Sequence, residues 1–372
     1  MTNPLSGIPS GMRYYFGDEA HLRRTIEETT MSVFGGWSYE EITAPSVDYY
    51  SLFEHGMGHA EAQRAFRFTD TDGRLLALRP DVTSAAARAA ATLLAERERP
   101  LRLCYAGAVF RQQTKSHAEW RRESTQIGCE LVGSDSSLAD VEILAIVTEL
   151  LHRLGLDGSY TITLNDVRIF NGVADRLSLD SESRERLRQV IDIRNAAAVE
   201  RFLESYTSID EGRAFAQLSQ LAGKRETLQW ARGIFANGQS RAAVDRLEDL
   251  WNVIESLGLT DHFEIDLGDV SRLDYYTGLT FKIYVNGAGS RVGSGGRYDG
   301  LTASFGKAEP AVGFVMELDA LTDILRGREK LFPGTHEKRP QASQLKDDDP
   351  YSLFVEALSR RAKGERVSLN LR

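Results

Sequence analysis

Only two cysteines, Cys104 and Cys129, occur in 372 residues, too few for a disulfide framework. Both lie in apolar, strand-like runs and read as small buried hydrophobes of a reducing compartment. Long apolar runs are missing as well: none approaches the ~18 residues that mark a membrane span. Met1-Thr2-Asn3-Pro4-Leu5 lacks the basic flank and apolar stretch of a signal peptide. A cytoplasmic protein without membrane contact is the expectation. Basic charge is in deficit too, 45 Lys and Arg against 54 Asp and Glu, for a formal net charge of −9. That gives no electrostatic footprint for nucleic acid, which binds mainly through clustered Lys and Arg. What is present suffices for a packed core: 42% hydrophobic residues, 9% aromatic and an ordinary 27% charged. The length favours one large domain with an insertion, or two domains.

Along the chain, Leu22, Ile26, Met31, Val33 and Phe34 fit one helix face, stopped by Gly35-Gly36, and a strand follows from Tyr39 to Pro45. The Ala-, Leu-, Glu- and Arg-rich stretch from Thr83 to Glu98 reads as a helix. Leu101 to Phe110 and Ser124 to Val132 read as strands around a polar loop, Leu138 to Leu154 as a helix, and Tyr160 to Leu164 as a strand. Between Ile169 and Leu257 helical patterns dominate and strand signals nearly vanish. Strand texture returns at Phe263 to Leu267 and at Leu279 to Val285. A glycine-rich turn is expected from Gly287 to Gly296, then Val312 to Val315 leading into a helix from Leu318 to Leu325. Beyond Gly327 comes a polar linker, then a helix-like piece (Tyr351 to Ala362) and a strand-like end, Val367 to Leu371. Neighbouring strands joined by short polar loops favour antiparallel pairing, so the fold class is α+β. The division expected is a core of residues 1–168 and 258–327, a helical insertion at 169–257, and a linker with a short tail at 328–372.

Leu273-Asp274-Tyr275-Tyr276-Thr277-Gly278 and Gly295-Gly296-Arg297-Tyr298-Asp299-Gly300-Leu301 resemble the two segments with which histidyl-tRNA synthetases hold histidine. Four further stretches match a class II synthetase core of that type in order and spacing. The first helix and strand ending at Pro45 resemble its first signature motif, which builds a dimer interface. Leu78-Arg79-Pro80-Asp81-Val82-Thr83 resembles the L-R-P-E-x-T segment that touches the amino acid. Tyr105 to Gly133, from Val109-Phe110-Arg111 through Gln126-Ile127-Gly128-Cys129-Glu130, resembles the second motif, and Ala311-Val312-Gly313-Phe314 opens the third. The fold so implied is a class II synthetase-like antiparallel sheet flanked by helices, with a helical insertion.

Free histidine presents an ammonium, a carboxylate, and an imidazole with one donor and one acceptor nitrogen. The resemblance puts Asp81, Thr83, Gln126 and Glu130 at the ammonium and backbone end, and Tyr275, Tyr276 and Tyr298 in the pocket. Tyr276 and Tyr298 can meet the ring edge, each with a hydroxyl on an apolar body. The adenylation machinery is another matter, since nucleotidyl transfer depends on cations around the phosphates. Arg111 matches the synthetase's phosphate arginine and is a residue of a nucleotide site. Gln113 stands where the family has a glutamate. Ser271 stands where it has an arginine, with Arg272 displaced by one position. Where the third motif reads roughly G-F-x-x-G-x-E-R, this chain has Gly313-Phe314-Val315-Met316-Glu317-Leu318-Asp319-Ala320, so the final arginine is Ala320. Residues 328–372 offer less than the anticodon-reading domain of a synthetase.

A retained histidine pocket beside lost phosphate chemistry resembles the histidyl-tRNA synthetase-like regulatory subunits of ATP phosphoribosyltransferase. That resemblance implies a separate short catalytic chain as partner, L-histidine as feedback ligand in histidine biosynthesis, and self-association as a dimer or larger. It implies no catalytic residue of its own, no cofactor, no metal and no tRNA. The alternative is a synthetase paralogue that activates an amino acid for a non-tRNA acceptor, supported by Arg111. His55 and His59 have the spacing of helix-borne zinc ligands, but Gly56 and Gly58 lie between them, and a surface loop is the better reading. Gly293-Ser294-Gly295-Gly296 lacks the Lys-Ser/Thr ending of a phosphate loop and reads as a turn between strands.

Overall fold

The computed structural model describes residues 6–112, 121–218, 220–235, 238–270, 275–326, 343–345 and 349–369. Gln113, Ser271, Arg272 and most of the linker expected between Gly327 and Pro350 lie outside the described residues. In chain order the first twelve strands are β1 Glu40–Glu41, β2 Val47–Tyr49, β3 Arg67–Thr69, β4 Leu75–Leu78, β5 Leu101–Phe110, β6 Glu123–Val132, β7 Tyr160–Asp166, β8 Ala222–Gly223, β9 Phe263–Asp266, β10 Leu279–Val285, β11 Gly293–Arg297 and β12 Ala311–Glu317. The helices among them are α1 Gly17–Gly36, α2 Tyr50–Met57, α3 His59–Ala62, α4 Thr83–Ala91, α5 Ser137–Arg153, α6 Val167–Arg176, α7 Ser181–Asp192, α8 Ala196–Leu203, α9 Ile209–Leu218, α10 Arg225–Ile234, α11 Gly238–Ser256 and α12 Leu318–Arg326. Among these residues no helix is long and apolar enough to cross a membrane.

Nine strands form one sheet in the order β1-β5-β6-β12-β11-β10-β7-β9-β8. Its pairings are antiparallel except for β1–β5 and β7–β9, which are parallel. The long central strand β6 is buried without interruption from Gln126 to Val132, so both sheet faces are covered. Strand alternation sorts its side chains. Cys129, opposite Cys104 and Phe314 in the ladder, lies on the face where Phe34 of α1 meets Phe314 edge-on at 5.9 Å. Both cysteines are free and buried. Glu130, opposite Leu103 and Gly313, lies on the other face, where α4 packs Ala87 and Ala90 against Leu101, Leu103, Val132 and Tyr298.

Several expectations need correction. The strand expected from Tyr39 to Pro45 shrinks to Glu40–Glu41. The helix expected to run to Glu98 stops at Ala91. There the Arg99 guanidinium donates to the carbonyls of Ala90, Leu94 and Arg97 at 3.2, 3.0 and 2.6 Å, replacing further helical turns, and is held by Glu309. The glycines of 293–296 lie in strand β11 rather than in a turn. They are needed because a Cβ on Gly293 would press the Val315 carbonyl at 2.6 Å, and one on Gly295 the Phe314 Cβ at 2.6 Å. His55 and His59 sit on helices α2 and α3, not in a loop. A three-stranded sheet, β2-β4-β3, is additional.

The chain between β7 and β9 is largely helical, and three of its helix starts are capped by side chains. Asp166, Asp180 and Asn195 accept from the backbone N–H of Arg168, Ser183 and Ala198 at 2.9, 2.8 and 3.0 Å. The run also returns a strand to the sheet, β8, which pairs with β9 at the edge. At the opposite edge Arg79 does the work of a strand. Its Nε donates to the Ala108 carbonyl at 2.6 Å and its Nη1 to the Ala44 carbonyl, while its own carbonyl accepts from Phe110 N at 2.9 Å. Gly107 leaves the room, since a Cβ there would come within 2.6 Å of Arg79 Nη2.

Residues Met1–Ile324 form one compact unit and Leu325–Arg372 a second. In the second, strands Ser343–Leu345 and Val367–Leu369 pair in parallel. A helix, Pro350–Ala362, packs Leu353 and Ala357 on Leu345.

Gly313 is the tightest of these glycine positions, because a Cβ there would overlap the Glu130 carboxylate and the Cys129 carbonyl. Gly313→Ala should lower unfolding free energy by about 1–3 kcal/mol. Gly289→Ala, with no atom within 4 Å of the added carbon, should change it by less than about 0.5 kcal/mol. Urea denaturation of both variants checks this; equal midpoints would refute it.

Candidate functional site

Pro80 halts the chain after β4, and α4 begins three residues later, placing Asp81 and Thr83 at a helix start over the face that carries Glu130. Here β10, β11 and β12 wall a cavity of about 390 Å³ together with residues of β6 and the 275–276 segment. Asp81, Thr83, Arg111, Gln126, Tyr275 and Tyr276 all line it. Glu130 and Tyr298 do not: they are 1% and 2% exposed, with Glu130 one hydrogen bond behind lining Thr83 and Tyr298 bonded to Glu130 in turn.

Behind that wall sits a single buried carboxylate under three hydroxyls. Thr83 Oγ1 and Tyr105 Oη donate to Glu130 Oε1 at 2.8 and 2.9 Å, and Tyr298 Oη donates to Oε2 at 2.5 Å. Burial pushes the Glu130 carboxyl up to about 7, against the downward pull of those hydroxyls. Gly128 makes space for Tyr105, whose hydroxyl would lie 2.9 Å from a Cβ there. Tyr105 opens the segment that resembles the second motif but is not among the expected site residues, although the two-residue strand period puts it on the same face as Glu130.

At the cavity surface the pattern reverses, and polar atoms lack partners. Asp81 Oδ2 accepts from Ser84 Oγ at 3.1 Å, but Oδ1 is buried with no hydrogen-bond partner. Thr280 Oγ1 and Glu317 Oε2, also on the wall, are buried and unpartnered. Burial raises the Asp81 pKa, while the Ser84 hydrogen bond and the Arg111 charge oppose the rise. An orphaned buried carboxylate oxygen is costly unless something cationic meets it. Tyr275 and Tyr276 pack at 4.7 Å between ring centroids, and Tyr275 meets Tyr298 edge-on at 5.9 Å. Burial lifts the Tyr276 phenol to about 12, leaving a neutral hydroxyl. The Tyr276 ring is seated against Gly296, where a Cβ would approach it to 2.8 Å.

Arg297 serves a different end. It is 4% exposed and binds Asp140 of α5 at 2.6 Å, with Arg246 of α11 on the other carboxylate oxygen at 2.8 Å. It pins the tyrosine segment to the helices and stays out of the cavity. Elsewhere on the lining, Arg111 donates to the Pro80 carbonyl at 3.2 Å and faces Glu317 Oε1 at 3.7 Å. Gln126 donates to the same Glu317 oxygen at 3.1 Å. Glu317 occupies the second glycine of the family's third motif, a change visible in the sequence whose effect needed the fold. Ala320 lines the same cavity. Among the described residues no cluster of His, Cys, Asp and Glu could hold a metal ion.

Residues 11–321 match the family model described as histidyl-tRNA synthetase. An ATP phosphoribosyltransferase regulatory subunit of Moorella thermoacetica is 36% identical over 315 residues, 84% of this chain and 80% of that one. The chain belongs to the ATP phosphoribosyltransferase regulatory subunit family. Another relative so named, from Syntrophotalea carbinolica, is 35% identical over 322 residues, 86% of this chain and 74% of that one. Among solved structures, an ATP phosphoribosyltransferase regulatory subunit/histidyl-tRNA synthetase from Bacillus halodurans C superposes with a TM-score of 0.85 at 28% identity, covering 98% of this chain and 92% of that one. A histidyl-tRNA synthetase from Nostoc sp. PCC 7120 shares the fold, with a TM-score of 0.78 at 22% identity over 98% of this chain and 86% of that one. The class II synthetase-like fold expected from the sequence is therefore the fold of this family.

Because the folded pKa of Glu130 lies above its ordinary 4.5, the stability linked to its protonated form is complete below that value. It is lost as pH rises through about 7. Glu130→Gln cannot titrate. Its unfolding free energy relative to the parent should therefore improve, by on the order of 1–3 kcal/mol, from about pH 4.5 to about pH 7.5, then level off. Urea titrations across that range test this, and a difference independent of pH would contradict it.

Proposed function

We propose that the cavity binds free L-histidine reversibly and reports its occupancy to a separate, short ATP phosphoribosyltransferase catalytic chain. The chain would be required for that partner's full activity and would carry feedback inhibition by histidine. The observation that carries the reading is Asp81 Oδ1, a buried, unpartnered carboxylate oxygen at the cavity wall. It is suited to the ligand ammonium, with Thr83 and Gln126 beside it and Tyr275 and Tyr276 available to the ring. Glu130, with Tyr105 and Tyr298, positions Thr83 from behind. The names of the Moorella and Syntrophotalea relatives support the regulatory part of the reading.

Reversible sensing requires that the ligand is not activated. Phosphoryl chemistry depends on uncompensated cations, and here Glu317 sets a negative charge against Arg111. A nucleotide's phosphates entering that end would meet a carboxylate already in place. Inhibition at a distance further needs two assembly states of different histidine affinity, since equal binding shifts nothing. A coupling of about 1–3 kcal/mol is typical and amounts to roughly 5- to 150-fold. Self-association through α1 and the strand toward Pro45, as a closed two-fold dimer, would be the simplest unit. The 73% and 80% exposure of Tyr14 and Phe16 beside α1 supports that surface.

Calorimetry on the full chain should show binding selective for histidine. Asp81→Asn should weaken it about 10- to 150-fold through loss of a charge-assisted contact. Steady histidine-dependent ATP–pyrophosphate exchange by the parent would instead establish an activating synthetase paralogue. In reconstitution with the catalytic chain, Asp81→Asn should still activate its partner yet need more histidine to inhibit. Unchanged inhibition despite lost histidine binding would move the feedback site to the catalytic chain. Sedimentation of the chain alone should show a dimer at micromolar concentration; a monomer only would count against the dimer.

A further inference from the structure

An amino acid brings a carboxylate as well as an ammonium, and a site that distinguishes it from a plain imidazole base needs a cation for that carboxylate. Five cationic side chains reach the cavity, and four already have acidic neighbours. Arg64 binds Glu61 at 2.8 Å, Arg111 faces Glu317 at 3.7 Å, Arg121 is held by Asp323 at 2.7 Å, and Lys282 is paired with Asp269. Arg291 differs: its guanidinium has no hydrogen bond or ion pair among the described residues, yet it lines the same cavity.

Its backbone setting is firm despite its exposure. The next residue, Val292, is fully buried and tied on both sides: its N–H donates to the Ile283 carbonyl at 2.8 Å, and its carbonyl accepts from Glu317 N at 2.8 Å. Arg291 is thus placed where β10, β11 and β12 meet, with its side chain exposed. Its charge is felt where the ligand would lie. Burial raises the pKa of both the Tyr276 phenol and the Asp269 carboxyl, and the Arg291 guanidinium is among the charges pulling each back. A planar guanidinium also matches a carboxylate with two parallel N–H donors.

We infer that Arg291 is the carboxylate partner of this site: its guanidinium takes the α-carboxylate of the bound amino acid while Asp81 takes the ammonium, so the cavity selects a zwitterion. The inference rests on the histidine reading of the cavity. Arg291 is then a specificity-determining residue, held in reserve until the ligand supplies the anion its neighbours already have.

The experiment is calorimetry on the full chain with L-histidine and with histidinol, which keeps the ammonium and imidazole but lacks the carboxylate. The parent should prefer histidine. Arg291→Gln should lower histidine affinity about 10- to 150-fold while leaving histidinol within about twofold, so that the preference disappears. Arg291→Lys, which keeps the charge and loses the fork, should restore part of it. Retained histidinol binding also shows that the variant is folded. A parent that binds neither compound removes the histidine reading itself, and this inference with it. A parent that prefers histidine, with Arg291→Gln keeping that preference, overturns the Arg291 assignment and leaves the reading standing. Loss of the preference in Arg272→Gln instead would likewise overturn it and give the role to Arg272.

Discussion

A carboxylate that no solvent reaches, held by three hydroxyls, is the constraint on which the rest of this molecule depends. Glu130 ties together the start of α4 through Thr83, strand β5 through Tyr105, and the segment after β11 through Tyr298. Each donor comes from a different part of the chain, so the cluster forms only when the sheet is in register. The glycines opposite and beside it, Gly313 and Gly128, exist for the same reason: any side chain there would strike the cluster. A buried carboxylate of this kind costs free energy unless it is fully hydrogen-bonded or protonated. Its surroundings meet that demand, and in doing so they set the floor of the cavity.

Above that floor the polar atoms are left open, and the contrast is informative. The fold satisfies Glu130 completely yet leaves Asp81, Thr280 and Glu317 with unpartnered buried oxygens on one cavity wall. Buried polar groups in native proteins are rarely unmatched, and those that are tend to mark function. Glu317 adds a second asymmetry, since it places a negative charge beside Arg111. The same cavity therefore carries buried acceptor oxygens without partners and an arginine already faced by a carboxylate.

Much of this could be read from residue order alone, because periodicity and motif spacing are local properties. The helices 17–36, 137–153 and 318–326 and the strands around Cys104, Cys129 and Phe281 follow from apolar spacing. What local reading missed depended on distant partners. The end of α4 at Ala91 is set by Arg99 and Glu309, far apart in sequence. Gly293 to Gly296 resembles a turn in composition, and only the neighbouring strands β10 and β12 show that glycine is there for close packing. At the cavity, residue types pointed to side chains that the fold brings together but not to their depth. Glu130 and Asp81 look interchangeable as acids, yet one lies behind the wall and the other on it. Tyr105 opens the second-motif segment without being marked as a site residue, and Arg291 lies in the glycine-rich stretch 287–296, whose composition points to a turn rather than to a ligand contact.

Arg79 has a consequence for how this chain can meet others. A sheet edge ordinarily offers a ladder of unpaired donors and acceptors to any passing strand. Here β1 covers only Leu103 and Cys104 of the ten-residue β5. Farther along, the Arg79 guanidinium and carbonyl occupy Ala108 O and Phe110 N. At the far side the edge strand β8 is two residues long and runs straight toward helix α10. Recruitment by strand addition is therefore discouraged at both ends of the large sheet. Assembly is left to side-chain surfaces, whose contacts can be made and released without unravelling the backbone ladder that holds the cavity in shape.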